Sequence, residues 1–252
     1  MIIRHIKKFL GEKTMFERKK YKSFAKKQLS GRWGIPVLVT LVIAIISSIF
    51  TIPDILHLSR SGYFAAVLSG NYFDALNALD SAESSSFITS IISMIVSAIL
   101  EVSAISVYIK MSRSPEPVYF SDFIEGFNNW ARATLSILWQ FLWLFLWSLL
   151  FIIPGIIKSI AYSQMFYIIA EYKEVSVSKA MRISIEITKG HKWDLFIMYL
   201  SFLGWVLLSV LTVGILNFWL IPYMNMTYVN AYHALMKEAL ESGRIRPEDL
   251  TE

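Results

Sequence analysis

Phe87 to Ile109 reads FITSIISMIVSAILEVSAISVYI, an apolar run in which Glu101 is the one charged residue. As a helix, a run of this length covers a hydrocarbon core of about 30 Å. Five more apolar stretches flank it: Ile35 to Ile52, Leu135 to Ile153, Ile156 to Tyr172, Leu195 to Val213 and Ile215 to Leu235. The Ile156 to Tyr172 stretch is short and carries Lys158. Their sum predicts an all-α, polytopic membrane protein with six transmembrane helices. Composition agrees, with 55% hydrophobic and only 17% charged residues in 252, too apolar a balance for an ordinary soluble domain.

Threading the six stretches through a bilayer in turn puts 22 of the 24 Lys and Arg residues on one side, leaving only Arg60 and Lys158 on the other. Cytoplasmic loops carry the excess of Lys and Arg, so both termini are expected in the cytoplasm. The resulting division is a cytoplasmic basic amphipathic leader over 1–34, a six-span membrane domain over 35–236 with an outer loop at 53–86, and a cytoplasmic tail over 237–252. No segment outside the spans is long enough to bury a core of its own. The leader shows no small-residue cleavage pattern, so the first stretch reads as an anchor. The net charge of +5 does not point to nucleic acid, because the basic residues cluster beside spans, where the anionic headgroups of the inner leaflet are the nearer partner. With no Cys, disulfides, thiol catalysis and thiolate metal sites are excluded.

The chain also reads as three hairpin repeats. Trp33, Trp130 and Trp193 each follow a small or polar residue and an amphipathic stretch, with apolar residues on one helical face: Tyr21, Phe24, Ala25 and Leu29; Phe120, Phe123, Ile124 and Phe127; Val177, Ala180, Met181 and Ser184. Such stretches are expected as interfacial amphipathic helices, each Trp at headgroup level, and Gly190, His191, Lys192 and Trp193 form the candidate interfacial motif. Beyond the Trp, Trp147, Leu149, Leu150, Gly155 and Ile156 align with Trp205, Leu207, Leu208, Gly214 and Ile215. Tyr162-Ser163-Gln164-Met165 then answers Tyr223-Met224-Asn225-Met226. Chance alignment of two Leu-rich hairpins is the competing explanation. The outer loop, with Ile55, Leu56, Tyr63, Phe64, Val67, Leu68, Tyr72, Phe73, Leu76 and Leu79 at helical spacing and interruptions at Gly62 and Gly70, predicts one or two short amphipathic helices on the outer leaflet, or a lid for a partner or ligand.

Gly190-His191-Lys192-Trp193 after Ser178-Lys179-Ala180, Pro154-Gly155-Ile156-Ile157-Lys158 with Ala161-Tyr162-Ser163, and Trp205 with Pro222-Tyr223 resemble signatures of a bacterial integral-membrane family known as domain of unknown function 975. The likeness runs from about Lys26 to Leu235. That family is similar in turn to the membrane domain accompanying some glycerophosphodiester phosphodiesterases. The resemblance implies a six-span protein of the bacterial cytoplasmic (inner) membrane with a role in lipid or envelope processes. It carries over no catalytic residue, and Asp194 and the long outer loop stand as departures.

Chemistry inside the spans is sparse. His5, His57, His191 and His233 make no pair at metal-ligand spacing, and no phosphate-cradling Gly-rich loop is present. No cofactor and no catalytic centre is therefore expected. Glu101 lies on a stripe with Ser90, Ser93, Ser97 and Ala104, small residues that let a neighbouring helix approach. A mid-membrane carboxylate costs roughly 2.5–3.5 kcal/mol unless it is paired, protonated or hydrated. It is either satisfied structurally or serves a ligand or proton. The last span adds Asn225, Thr227, Asn230 and His233, either as packing glue or as a groove. The candidate intramembrane polar site is thus Glu101, Gln164, Tyr223, Asn225, Asn230 and His233, with Glu101 expected to meet Asn225, Asn230 or His233. Pro154 and Gly155 are expected to turn the chain between the third and fourth spans, with Lys158 snorkelling outward. Trp139, Trp143 and Trp147 form one ridge, expected to serve packing. The leading expectation is a non-enzymatic protein that binds a lipid, a partner protein or a second copy. A small transporter or channel built on Glu101 and the last span is the alternative, and a lipid-modifying enzyme, which would need Glu101, His233 and Tyr223 to converge, is third.

Overall fold

A computed structural model describes residues 16–81, 87–150 and 152–251. Among these the chain is all helical. The helices are α1 (Arg18–Leu29), α2 (Gly34–Arg60), α3 (Tyr63–Leu68), α4 (Tyr72–Ser81), α5 (Phe87–Arg113), α6 (Phe120–Gly126), α7 (Trp130–Leu150), α8 (Ile152–Tyr162), α9 (Met165–Glu171), α10 (Val177–Ile187), α11 (Lys192–Leu200), α12 (Leu203–Leu211) and α13 (Asn217–Glu241).

Five segments are long and apolar enough to cross a membrane: Gly34–Arg60, Ile88–Arg113, Phe120–Leu149, Ile153–Glu171 and Lys192–Leu211. The protein is therefore a multi-pass membrane protein by length and composition. At 1.5 Å per residue the 25 residues of α13 reach roughly 38 Å, but its Asn, His, Lys and Glu residues keep it out of that set. Its side chains make up the difference by packing: Met226, Thr227, Val229, Ala231, Tyr232 and Leu235 are buried against α1, α2 and α5. The outward surface is apolar, with Ile45, Ile49, Leu149, Leu207, Val210 and Leu211 exposed, as a lipid-facing belt requires.

Several boundaries differ from expectation. The first span does not end at Ile52; α2 continues through Pro53 to Arg60. Two of the spans are broken. The fourth interrupts at Ser163 and Gln164, the fifth at Ser201 and Phe202, and in each case a serine hydroxyl donates back to a carbonyl of the preceding turn: Ser163 Oγ to Ile160 O (2.8 Å) and Ser201 Oγ to Met198 O (2.5 Å). The 53–86 segment does hold two short helices, set off at Gly62 and Gly70, both at positive φ. Its polar run from Asp80 to Ser86 lies largely outside the described residues.

The amphipathic faces are only partly where the spacing put them, Phe24 standing exposed, and their buried residues cover protein rather than lipid. The leader helix α1 buries Tyr21, Ala25 and Leu29 and packs along α13. Arg32 donates to Met111 O (3.3 Å) and to Glu116 O, tying the leader to the end of α5. Burial holds the Tyr21 hydroxyl above its ordinary pKa, and burial with Arg18 and Lys26 nearby lowers that of Lys22. In α6 Phe123 is buried while Ile124 stays outside, and α10 buries Ala180, Met181, Ile183, Ser184 and Ile187. The 237–252 tail is folded back too: Ile245 is buried and Arg244 donates to Glu186 O and Lys189 O, both at 3.0 Å.

Candidate functional site

The expected meeting of Glu101 with the last helix does not occur. Asn225 lies with Thr40 at the Tyr108 hydroxyl, and Asn230 Nδ2 donates to Gln28 Oε1 of the leader helix at 2.7 Å. His233 Nε2 stands 4.0 Å from Glu171. Tyr223 packs edge-on against Phe202, ring centres 5.6 Å apart, with the Lys26 ammonium 5.7 Å from its ring. No hydrogen bond or ion pair among the described residues joins Glu101, Tyr223 and His233. Asn230 is held by the leader and Asn225 by Tyr108 of α5, so neither is engaged by Glu101.

Glu101 instead lies on the exposed side of α5. Its charge acts on the Tyr167 and Tyr199 hydroxyls, and Tyr199 also reaches the side chains of Ser163 and Gln164 at the break in the fourth span. Tyr199 packs on Tyr228 (5.1 Å) and Tyr167 stacks on Tyr232 (5.4 Å). Gln164 is 2% exposed. Its backbone N–H donates to Ser184 Oγ (3.2 Å) and its Nε2 to Ser163 Oγ (2.8 Å), while Oε1 has no partner. Glu101 itself makes no hydrogen bond or ion pair among the described residues and keeps accessible surface, as does Ser97 one turn earlier, although Leu100 and Val102 beside it are buried. Tyr108, Tyr167, Tyr199 and Tyr228 were absent from the sequence-based candidates. A signal existed: extending the repeat match by two residues aligns Tyr162–Tyr167 (YSQMFY) with Tyr223–Tyr228 (YMNMTY), placing Tyr167 opposite Tyr228.

A second cluster was also missed. Glu171, its side chain 4% exposed, is paired with Arg113 and accepts from the Tyr232 hydroxyl. Nearby, Arg132 donates to Ile169 O (3.2 Å), Tyr172 O (2.7 Å) and Val175 O (2.5 Å). It thereby satisfies carbonyls that a helix end leaves open.

The Gly190–Trp193 motif ties parts of the chain together. Gly190 takes φ +88°, a conformation glycine adopts without penalty, and the chain turns so that His191 is buried. His191 Nδ1 lies 3.1 Å from Asp194 and Nε2 2.9 Å from Glu238, which Arg244 also holds at 2.8 Å. The motif thus clamps the C-terminal end of α13, and Asp194 is part of the clamp. Trp193 is 69% exposed, and Lys192 is partly exposed beside it.

Lys158 lies along the protein surface beside the Trp ridge. Its ammonium sits 4.4 Å from the centre of the Trp147 ring. With Trp139, Trp143, Trp147 and Tyr162 it lines a hollow of about 340 Å³ whose other wall is Met181, Arg182 and Ile185 of α10. A second hollow of about 590 Å³, sharing Trp139 and Ser178, adds Arg132 and Lys173. Arg182 and Lys173 make no hydrogen bond or ion pair among the described residues. No group of three or more His, Cys, Asp or Glu there could hold a metal ion.

A family model described as Protein of unknown function (DUF975) matches residues 15–160 and 149–239. The chain belongs to that family. No curated protein and no solved structure matches it. The DUF975 match takes in Glu101, the broken spans, the Trp ridge and the His191 clamp as far as Glu238, whereas Arg244 lies beyond it.

Proposed function

We propose that this protein is a non-enzymatic component of the bacterial cytoplasmic membrane that holds an anionic phospholipid in the groove between α7, α8 and α10. The observation that carries the reading is the joining of an apolar aromatic wall to unpaired cations. Trp139, Trp143 and Trp147 offer acyl chains a continuous surface, and Lys173 and Arg182, both on the basic side of the chain, border it with positive charge. A phosphate accepts charge-assisted hydrogen bonds from such groups, whereas a zwitterionic headgroup gives a weaker net attraction. In full-length protein reconstituted into nanodiscs, bromine-labelled phosphatidylglycerol should quench tryptophan fluorescence more than bromine-labelled phosphatidylcholine. Lys173→Ala with Arg182→Ala should reduce that preference about tenfold, equivalent to about 1.4 kcal/mol. Trp143→Phe should remove part of the quenching itself. Equal quenching by both lipids in the unaltered protein would remove the proposal.

In the same reading α13 is a sixth span, the spans form three hairpins of like orientation, and both ends are cytoplasmic. The one-sided distribution of Lys and Arg supports this. The absence of native Cys permits a clean test with single cysteines at Ser69, Glu116 and Ser242. Glu116 is used because its exposed side chain makes no contact that the fold depends on. A membrane-impermeant thiol reagent should label position 69 in intact cells and positions 116 and 242 only after permeabilisation. Labelling of 116 or 242 from outside would overturn the topology.

A further inference from the structure

We infer that the groove takes a lipid carrying two phosphates, of the diphosphatidylglycerol class, with one phosphate held at Arg182 and the other at Lys173. The inference rests on the lipid-binding reading above and names its ligand. Three observations converge on it. First, the groove is two hollows rather than one: about 340 Å³ beside Arg182 and about 590 Å³ beside Lys173, joined where Trp139 and Ser178 line both. Second, each hollow has its own cation. Lys173 and Arg182 are exposed and make no hydrogen bond or ion pair among the described residues, and both belong to the one polar segment between the fourth and fifth apolar stretches. The two phosphates of one lipid lie in one leaflet, which a single segment can serve. Third, the cations are held in place. Ser178 and Arg182 stand four residues apart on one face of α10, about 6 Å along its axis. Lys173 lies in the loop that Arg132 fastens on either side of it, through Tyr172 O (2.7 Å) and Val175 O (2.5 Å).

Charge decides the class of lipid. Glu174 also lines the larger hollow and offsets Arg132 there, whose guanidinium is committed to carbonyls, so Lys173 is the cation left for a phosphate. With Arg182 that makes two positive charges, which a lipid of one phosphate would leave half matched. Basic pockets between helices on the cytoplasmic side suit a headgroup with two phosphates, and linking the phosphates makes the second contact intramolecular. Acyl chains from both halves of the lipid meet the same apolar wall, because Trp139 belongs to both hollows.

The test uses the full-length protein in phosphatidylcholine nanodiscs doped with bromine-labelled diphosphatidylglycerol or bromine-labelled phosphatidylglycerol, compared at equal lipid phosphate. Half-maximal tryptophan quenching by diphosphatidylglycerol should need at least tenfold less phosphate than quenching by phosphatidylglycerol. Lys173→Ala and Arg182→Ala, each alone, should abolish that advantage while eluting as the unaltered protein does in size exclusion, and Lys173→Arg, which keeps the charge, should retain it. If phosphatidylglycerol quenches more than phosphatidylcholine but diphosphatidylglycerol does no better at equal phosphate, the two-phosphate inference is overturned and the anionic groove stands. If neither anionic lipid exceeds phosphatidylcholine, both readings fall. An advantage that survives both single substitutions also overturns the inference, since the two phosphates would then not be held at Lys173 and Arg182. Should one variant fail to fold, the other and the unaltered protein still decide the matter.

Discussion

Arg113→Ala is expected to destabilise the folded protein by about 3 kcal/mol, the cost of removing one partner from a buried ion pair. The loss falls on the residue left behind. Arg113 is 57% exposed and regains water when released, but the Glu171 carboxylate is 4% exposed and keeps only the Tyr232 hydroxyl, with His233 at 4.0 Å. The cluster joins the ends of α5 and α9 to α13, so its failure loosens three helices at once. Unfolding in a detergent titration, followed by circular dichroism, measures the effect. Adding Glu171→Gln to Arg113→Ala should recover much of the loss, because a neutral amide no longer strands a charge. If Arg113→Ala costs under about 0.5 kcal/mol, as an exposed pair would, Glu171 is solvated and the cluster contributes little.

Gly126→Ala should be the most damaging Gly-to-Ala change among the described residues. A Cβ at this position would stand 2.5 Å from Ser103 Cα and 2.8 Å from Ser103 Cβ. The obstacle is backbone, which cannot swing aside as a flexible side chain can. Helix α6 lies directly on α5 at this point, and Ser103 is fully buried with its hydroxyl donating to Ile99 O at 2.8 Å. Relief requires moving α6, at a cost of about 3 kcal/mol, the upper part of the range for overpacking. Gly204→Ala is the matched control: a Cβ there meets nothing within 4 Å, and Ala in a helix is favoured over Gly by about 1 kcal/mol. Equal thermal stability of the two variants would mean that α6 and α5 are not in backbone contact.

Neither feature could be read from the chain alone, and the reason is the same for both. Gly126 reads as an unremarkable glycine near the end of a short amphipathic stretch, and Glu171 as one more charge beside a span. What makes them matter is a surface contributed by residues far away in sequence. The leader shows the point from the other direction. Its face of Tyr21, Ala25 and Leu29 was legible from helical spacing, but its partner, α13, lies some two hundred residues away, as the Gln28 to Asn230 bond shows. A face can be inferred from periodicity; whether lipid or protein covers it cannot.

By itself the sequence determined the all-helical, membrane-crossing character of this protein, the amphipathic faces of α1, α6 and α10, the breaks at Gly62 and Gly70 in the outer loop, and the family. Those properties follow from the length and apolarity of single segments, from periodicity within one helix and from short motifs, so each is local and additive. Tertiary structure alone decided that Glu101 stays exposed on α5 rather than meeting Asn225, Asn230 or His233, that Lys158 lies against Trp147, and that His191 clamps Glu238. Each of these depends on how one helix is rotated about its axis relative to its neighbours. That rotation is set by close packing of side chains from several spans at once, a quantity no single stretch of sequence contains.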